Sequence, residues 1–215
     1  MAKKTLKHDE ILREVLKVYM ANSYEQVTVK KLEKATGITR GGLFYYARDM
    51  DDLFRQVVEK HLIALHQAEF DMKYKPDAIS FRAFINHYIK GVIEINDIGL
   101  SYGLENLHKS YFNFLMQAVM HYEGMDKTAA ESLAREKGLW VEQVRKAIVR
   151  KELRPDIMPT VVGEHFLYLQ LGMALESAFT GEDYQQHLRR VINNYYNDLR
   201  AKETSPIDDV TEEER

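Results

Sequence analysis

The most informative part of this chain for its fold is the stretch Thr39-Arg40-Gly41-Gly42-Leu43-Phe44-Tyr45-Tyr46. It follows Thr28-Val29-Lys30-Lys31-Leu32, and Gly37 lies between the two stretches. Each stretch opens with a threonine, which caps helices well, and the glycine permits a tight turn. The pattern predicts two short helices set at a steep angle, the arrangement that lets a second helix enter the major groove of DNA.

Helical periodicity continues on both sides of this stretch. Ile11, Leu12, Val15, Leu16 and Tyr19 form one apolar stripe, and Asp49 is placed to cap a fourth helix. Proline and glycine are scarce, with 4 and 11 copies, which favours long helices further on. We therefore predict an all-α fold with helices over residues 8–21, 28–36, 39–47, 50–70, 80–96, 101–122, 126–151, 160–180 and 184–201.

The chain divides by composition into an N-terminal and a C-terminal unit. Tyr74-Lys75-Pro76-Asp77 interrupts the helical pattern, so we expect a helix-turn-helix domain over 1–50 and a connecting helix and break over 51–75. A helical bundle for effector binding and dimerisation is expected over 76–202. Residues 203–215 carry six acidic side chains against one arginine and are expected to be a disordered tail.

The bulk composition excludes several classes of protein. The absence of cysteine rules out disulfides, thiol catalysis and Cys-ligated zinc, and it is compatible with a reducing cytoplasm, the location we expect. No apolar run approaches the roughly 20 residues that cross a bilayer, so no membrane partner is expected. The basic N-terminus is not followed by an apolar run, which argues against a signal peptide.

Charge is distributed unevenly along the chain. Residues 1–60 hold 12 Lys and Arg against 9 Asp and Glu, a net charge of +3, while the whole chain has a net charge of −3. A basic end on an acidic body suits a protein that touches a phosphate backbone at one end only.

Residues 9–54 resemble the DNA-binding domain of TetR-family transcriptional regulators. The resemblance rests on Ile11-Leu12, Thr28-Val29-x-x-Leu32, Ala35-x-Gly37-Ile38-Thr39-Arg40-Gly41, Leu43-Phe44-Tyr45-Tyr46 and Asp51-Asp52-Leu53. It implies a ligand-responsive regulator, most often a repressor, that binds a palindromic operator as a dimer and is released by a small-molecule effector. We expect no cofactor and no metal.

The residues of the recognition segment suggest individual roles on DNA. Arg40 can read a guanine edge with two hydrogen bonds, Tyr45 can touch a base or a thymine methyl, and Gly41 and Gly42 let the backbone approach the duplex. Phe44 belongs to the same segment, and the expected phosphate contacts are Thr28, Lys30, Thr39, Tyr46 and Arg48. The alternative role of Thr28 and Thr39 is to cap a helix without touching DNA. The alternative for Lys30 and Arg48 is a charged side chain that faces solvent only.

Two further sites are expected in the C-terminal part, each with an ordinary helical core as its alternative. The resemblance implies dimerisation, and the candidates on the last two helices are Phe166, Leu169, Met173, Ile192, Tyr195 and Leu199. Aromatic side chains suit an effector pocket for apolar or flat ligands, and the candidates are Phe84, Tyr88, Tyr102, Phe112 and Trp140.

Enzymatic and adaptor functions are the alternatives to DNA binding. The sequence has neither a Walker-type glycine loop nor a His-Glu-x-x-His motif, and Glu164 and His165 are adjacent rather than three residues apart. A helical adaptor or a helical-bundle enzyme would not require the composition of Thr39 through Tyr46.

Overall fold

The computed structural model describes residues 8–63, 80–101, 103 and 106–201. The predicted extension of the connecting helix to residue 70, the break at residues 74–77, Tyr102 and the acidic tail lie outside these ranges. The described residues form an all-α structure without a strand, as predicted. Its helices are α1 (His8–Ala21), α2 (Val29–Thr36), α3 (Arg40–Leu43), α4 (Met50–Val58), α5 (Phe81–Leu100), α6 (Leu107–His121), α7 (Met125–Val149), α8 (Pro159–Thr180) and α9 (Tyr184–Leu199).

The N-terminal helices begin and end as their local sequence dictates. The Thr28 hydroxyl accepts a hydrogen bond from the Lys31 amide, and the Asp49 carboxylate accepts one from the Asp52 amide. Gly37 ends α2 with a φ of 70°, a left-handed conformation that glycine adopts without strain. The capping predictions at Thr28 and Asp49 are therefore confirmed.

Helix α3 is shorter than predicted, because it ends at Leu43 instead of residue 47. Two of its four residues are glycines, each of which weakens a helix by about 1 kcal/mol relative to alanine. Ala47 is buried, and the chain reaches it through a tighter turn, in which the Tyr46 amide donates to the Leu43 carbonyl at 3.2 Å.

The predicted helix break at residues 97–99 was wrong. Helix α5 runs on to Leu100, and α6 starts only at Leu107, where the Asn106 side chain caps it. A Cβ at Gly99 would lie 2.4 Å from Leu107 Cδ2. Glycine at this position therefore makes room for the start of α6 and does not end α5.

Two hydrophobic cores organise the chain, and α6 contributes to the first of them. Phe114 and Ala118 of α6 are buried with α1 and α4, where the Phe114 ring lies 5.9 Å from that of Phe54. The second core is built around Trp140 by α5, α7, α8 and α9. The orientation of the first core relative to the body is therefore fixed by packing on α6.

Side-chain amides of α6 also bind the end of α1. Asn113 Nδ2 donates to the carbonyl of Met20 at 3.0 Å, and Gln117 Nε2 donates to the carbonyls of Asn22 at 2.9 Å and Tyr19 at 3.1 Å. The last carbonyls of a helix have no partner within it. The side chains of Asn113 and Gln117, which follow α1 by more than 90 positions in the sequence, donate the missing hydrogen bonds.

We expect Gln117→Leu to lower the free energy of unfolding by about 1.5 kcal/mol, because buried carbonyls lose a donor. Urea denaturation at fixed protein concentration measures this change. Met116→Ala is the matched control, since Met116 is exposed on the same helix and its loss should change stability by less than about 0.5 kcal/mol. Equal losses in both variants would contradict the role assigned to the amide.

A single π-helical turn, Glu59–Ile63, follows α4 and holds His61 in a partly buried position. Burial, with help from the neighbouring Lys60 and Arg13 charges, lowers the pKa of His61 to about 4. Between pH 6.5 and pH 4 the unfolded chain therefore binds a proton that the folded chain does not. Stability must fall as the pH drops through this window.

We expect His61→Gln to reduce that acid sensitivity. The wild-type urea midpoint should fall more between pH 7 and pH 5 than the midpoint of the variant. Burial also lowers the pKa of His108, so the variant should keep part of the slope. Parallel curves for the two proteins would show that His61 does not titrate in this window.

Candidate nucleic-acid interface

The predicted DNA-contacting residues lie at the start of α2 and in residues 39–48 of the N-terminal domain, and most of them are exposed. We call this set the recognition surface. Its exposed members are Thr28, Lys30, Thr39, Arg40, Gly41, Tyr45, Tyr46 and Arg48, and its half-buried members are Gly42 and Phe44. The set includes the N-terminal end of α3, and this end of a recognition helix is the part that meets base edges.

Arg40 projects from the first position of α3. Its guanidinium carbon lies 5.6 Å above the centre of the Phe44 ring, one turn further along the chain. This cation–π contact favours a position of the guanidinium over the ring. The Phe44 ring is half-buried, so one face can pack on the domain while the ring also contacts the Arg40 guanidinium.

Thr39 stands at the capping position of α3 but does not cap it. Its backbone is extended, and its side chain accepts no hydrogen bond from the first turn. The expected cap is instead supplied by Glu33, whose Oε1 accepts a hydrogen bond of 2.6 Å from the Arg40 amide. The Thr39 hydroxyl is left at the surface. Sequence reasoning missed Glu33, because nothing local signals a cap that comes from the preceding helix.

The two glycines of α3 are explained differently. A Cβ at Gly41 would meet no atom within 4 Å, so this exposed position leaves open space in front of the backbone. A Cβ at Gly42 would lie 2.4 Å from Ile38 Cγ2. Gly41 therefore has the open space that close approach to a duplex needs, whereas the absence of a side chain at Gly42 serves packing against Ile38.

The neighbouring residues Tyr45 and Tyr46, which follow α3, differ in exposure and in the contacts that their side chains make. The side chain of Tyr45 is 82% exposed, and its ring stands nearly perpendicular to that of Tyr46. Tyr46 stacks on His8 at a centroid distance of 4.8 Å, and its carbonyl accepts a hydrogen bond from Gln56 Nε2. Contacts from α1 and α4 thus fix Tyr46 and leave Tyr45 free to meet a ligand.

The basic residues of the surface are only weakly held. An Arg48 terminal nitrogen lies 3.6 Å from an Asp52 carboxylate oxygen, and the Arg48 side chain is 80% exposed. The Arg48 amide also donates to Asp52, which lowers the pKa of that carboxyl group. Because an exposed ion pair contributes little, Arg48 can exchange this partner for a phosphate at small cost. Lys30 is exposed on α2.

The predicted dimer residues require a correction. Phe166, Met173, Ile192 and Leu199 are buried in the core of their own protomer, which leaves them no surface for a partner, and Leu169 and Tyr195 are half-buried. Helix α8 instead carries exposed residues at alternating intervals of four and three. This outward stripe consists of Val161, His165, Tyr168, Gly172, Leu175 and Phe179.

The predicted effector residues pack against one another inside the second core. Phe84, Tyr88 and Trp140 are fully buried, and the Trp140 ring meets the other two edge-on at 5.0 and 4.8 Å. Phe112 packs against the same cluster, and Tyr102 lies outside the described residues. Trp140 Nε1 is buried without an acceptor among the described residues.

One short pattern associated with hydrolases also occurs in the chain. Gly99-Leu100-Ser101-Tyr102-Gly103 has the spacing of a nucleophile elbow. That motif needs a strand followed by a sharp turn into a helix, whereas here Gly99 and Leu100 end α5 and Ser101 follows it. Within the described ranges no group of three or more His, Asp or Glu side chains could hold a metal ion. No helix in those ranges is long and apolar enough to span a bilayer.

Comparison with known proteins places this geometry in a family. A family model described as bacterial regulatory proteins, tetR family, matches residues 11–57. The uncharacterized HTH-type transcriptional regulator YfiR of Bacillus subtilis is 21% identical over 179 residues, which is 81% of each chain.

Solved structures share the whole fold. The regulatory protein TetR from Rhodobacter sphaeroides superposes with a TM-score of 0.63 at 16% identity, over 91% of this chain and 100% of that one. The reduced form of NemR from E. coli superposes with a TM-score of 0.60 at 13% identity, over 90% and 98%. The matched segment contains α1 to α4 and the recognition surface, so residues 11–57 form a helix-turn-helix DNA-binding domain of the tetR family of bacterial regulatory proteins.

Proposed function

We propose that this chain is a dimeric repressor that binds a palindromic operator and releases it when a small molecule binds the C-terminal core. The observation that carries the proposal is the exposed recognition surface, in which Arg40 and Tyr45 project from a helix start whose backbone is open at Gly41. Because the proposed partner is double-stranded DNA, the proposed location is the cytoplasm.

DNA from the region upstream of the protein's own coding sequence is the first probe. The purified chain should retard this fragment at 150 mM salt and should bind an unrelated fragment of equal length at least about a thousandfold more weakly. Equal affinity for both fragments would reject specific operator binding at this locus. Repression is then tested separately, by transcription from the same fragment with and without the protein.

We propose that the outward stripe of α8 forms the dimer interface. Exposed Tyr168, Leu175 and Phe179 lie along one side of α8, and the Phe179 side chain is 83% exposed. His165 Nδ1 lies 2.8 Å from the Tyr195 hydroxyl, so half-buried Tyr195 of α9 borders the stripe. Pairing of two such helices across a two-fold axis would bury this apolar surface.

We expect Leu175→Glu to weaken dimerisation by about a hundredfold or more, because the two-fold axis would bring two carboxylates together. Sedimentation equilibrium measures the dissociation constant. Leu133→Glu is the matched control, since this leucine is similarly exposed on α7, outside the stripe, and the variant should remain dimeric. Monomers in the control, or dimers in Leu175→Glu, would contradict the assignment.

We propose that the effector enters the aromatic core around Trp140. The support is the buried Trp140 Nε1, since a donor without an acceptor is costly and a ligand oxygen would satisfy it. Trp140 is the single tryptophan of the chain, so its fluorescence reports on this core directly. A ligand that releases the upstream fragment should also change this fluorescence. Release without any change would place the effector elsewhere.

A further inference from the structure

The recognition helix needs help to keep its first turn. Helix α3 has four residues, two of them glycine, and the first amides of any helix lack partners within it. The residue at the capping position, Thr39, supplies no acceptor. The Arg40 amide nevertheless has one, because Glu33 Oε1 lies 2.6 Å away.

Glu33 holds the turn from both sides. Its backbone carbonyl accepts a hydrogen bond of 2.9 Å from the Gly37 amide, which ends α2. Its carboxylate accepts from the Arg40 amide, which begins α3. A negative charge at a helix start is also favoured by the helix dipole. The Glu33 side chain therefore links the end of α2 to the start of α3, beside the bond from the Ile38 amide to the Thr36 hydroxyl (3.2 Å).

We propose that Glu33 is a positioning residue that raises the preference of this protein for its operator over other DNA. This inference rests on the proposed DNA-binding function. Glu33 fixes the backbone of Arg40, the candidate base-reading residue, and it spares the exposed Thr39 hydroxyl for a phosphate. Because its carboxylate lies beside the recognition surface, it also repels the phosphate backbone, which weakens binding that is independent of sequence.

The first test needs no DNA. Hydrogen exchange of the Arg40 amide is followed by NMR in the full chain. Glu33→Ala should accelerate exchange by about tenfold, as loss of a charge-assisted hydrogen bond implies, whereas Glu33→Gln keeps an acceptor and should stay within about threefold of the wild type. Thr39→Val should leave the rate unchanged. Unchanged exchange in Glu33→Ala, or faster exchange in Thr39→Val alone, would overturn the assignment.

The second test compares two duplexes, one selected in vitro with the wild-type chain and one of scrambled sequence. Glu33→Ala should lose about tenfold in affinity for the selected duplex. Glu33→Gln should keep that affinity and should bind the scrambled duplex about two to five times more tightly. Glu14→Gln is the matched control, because it removes the same charge from α1, where Glu14 pairs with Lys17.

The two tests separate this inference from the proposed function. A wild-type chain that does not distinguish the two duplexes contradicts operator binding, while the exchange rates still decide whether Glu33 holds α3. Undiminished preference for the selected duplex in both Glu33 variants would overturn the specificity role.

Discussion

Gly163→Ala is expected to lower the free energy of unfolding by about 1–2 kcal/mol. A Cβ at residue 163 would lie 2.7 Å from Val141 Cγ2, 2.8 Å from Val141 N and 3.0 Å from Val141 Cα. Two of these atoms belong to the backbone of α7, so relief requires α7 and α8 to move apart. Overpacking of this kind typically costs 1–3 kcal/mol, and alanine regains at most about 1 kcal/mol in helix propensity.

Separation of α7 and α8 would also disturb the centre of the second core. The Trp140 and Phe166 rings, one from each helix, stack with centroids 4.6 Å apart and planes 5° apart. Urea denaturation followed by Trp140 fluorescence therefore measures both stability and the state of this contact. Protein concentration must be held constant, because the proposed dimer would unfold in a concentration-dependent way.

Gly138→Ala provides the matched control for this experiment. Gly138 is exposed within α7, and a Cβ there would meet no atom within 4 Å. The same chemical change should therefore stabilise the protein by up to about 1 kcal/mol. Opposite signs for the two variants are the expected outcome. A neutral Gly163→Ala variant would mean that α7 and α8 do not approach as closely as described.

Arg40→Ala is expected to reduce affinity for the operator by at least about tenfold. A bidentate contact with guanine contributes about 1–3 kcal/mol of discrimination, and a dimer would lose this contact in both half-sites. Affinity for scrambled DNA should fall much less, because that binding depends on the total charge. The specificity ratio therefore distinguishes base reading from a simple phosphate contact.

Lys17→Ala is the charge control for Arg40→Ala. It removes one positive charge from α1, where Lys17 pairs with Glu14 and lies outside the recognition surface. We expect its operator affinity to stay within about twofold of the wild type. Equal losses from both substitutions would show that Arg40 acts through charge alone, and Tyr45→Ala would then be the remaining probe of base contact.

Local sequence signals predicted much of the N-terminal domain. The bounds of α1 and α2 follow from an apolar stripe and a threonine cap, both of which depend on neighbouring residues. Contacts between different segments of the chain could not be predicted in the same way. The bond from Arg40 to Glu33 and the stacking of Tyr46 on His8 exist only once the helices are assembled.

The C-terminal helices were harder to interpret, for a physical reason. Helix α8 is apolar almost all round, so periodicity alone does not show which side faces the protomer core. The choice of Phe166 and Met173 as partner-facing residues failed on this ambiguity. The packing of α7 and α9 on the other sides of α8 is what shows that the outward stripe faces away from the core of the protomer.

Hydroxyl-radical footprinting of the wild-type chain on the selected duplex tests the central claim most directly. A dimer that presents two recognition surfaces should protect two blocks related by two-fold symmetry, with centres about 34–36 Å, or one helical turn, apart. A single block, blocks without symmetry, or the absence of protection at concentrations that saturate retardation would contradict operator recognition by a symmetric dimer.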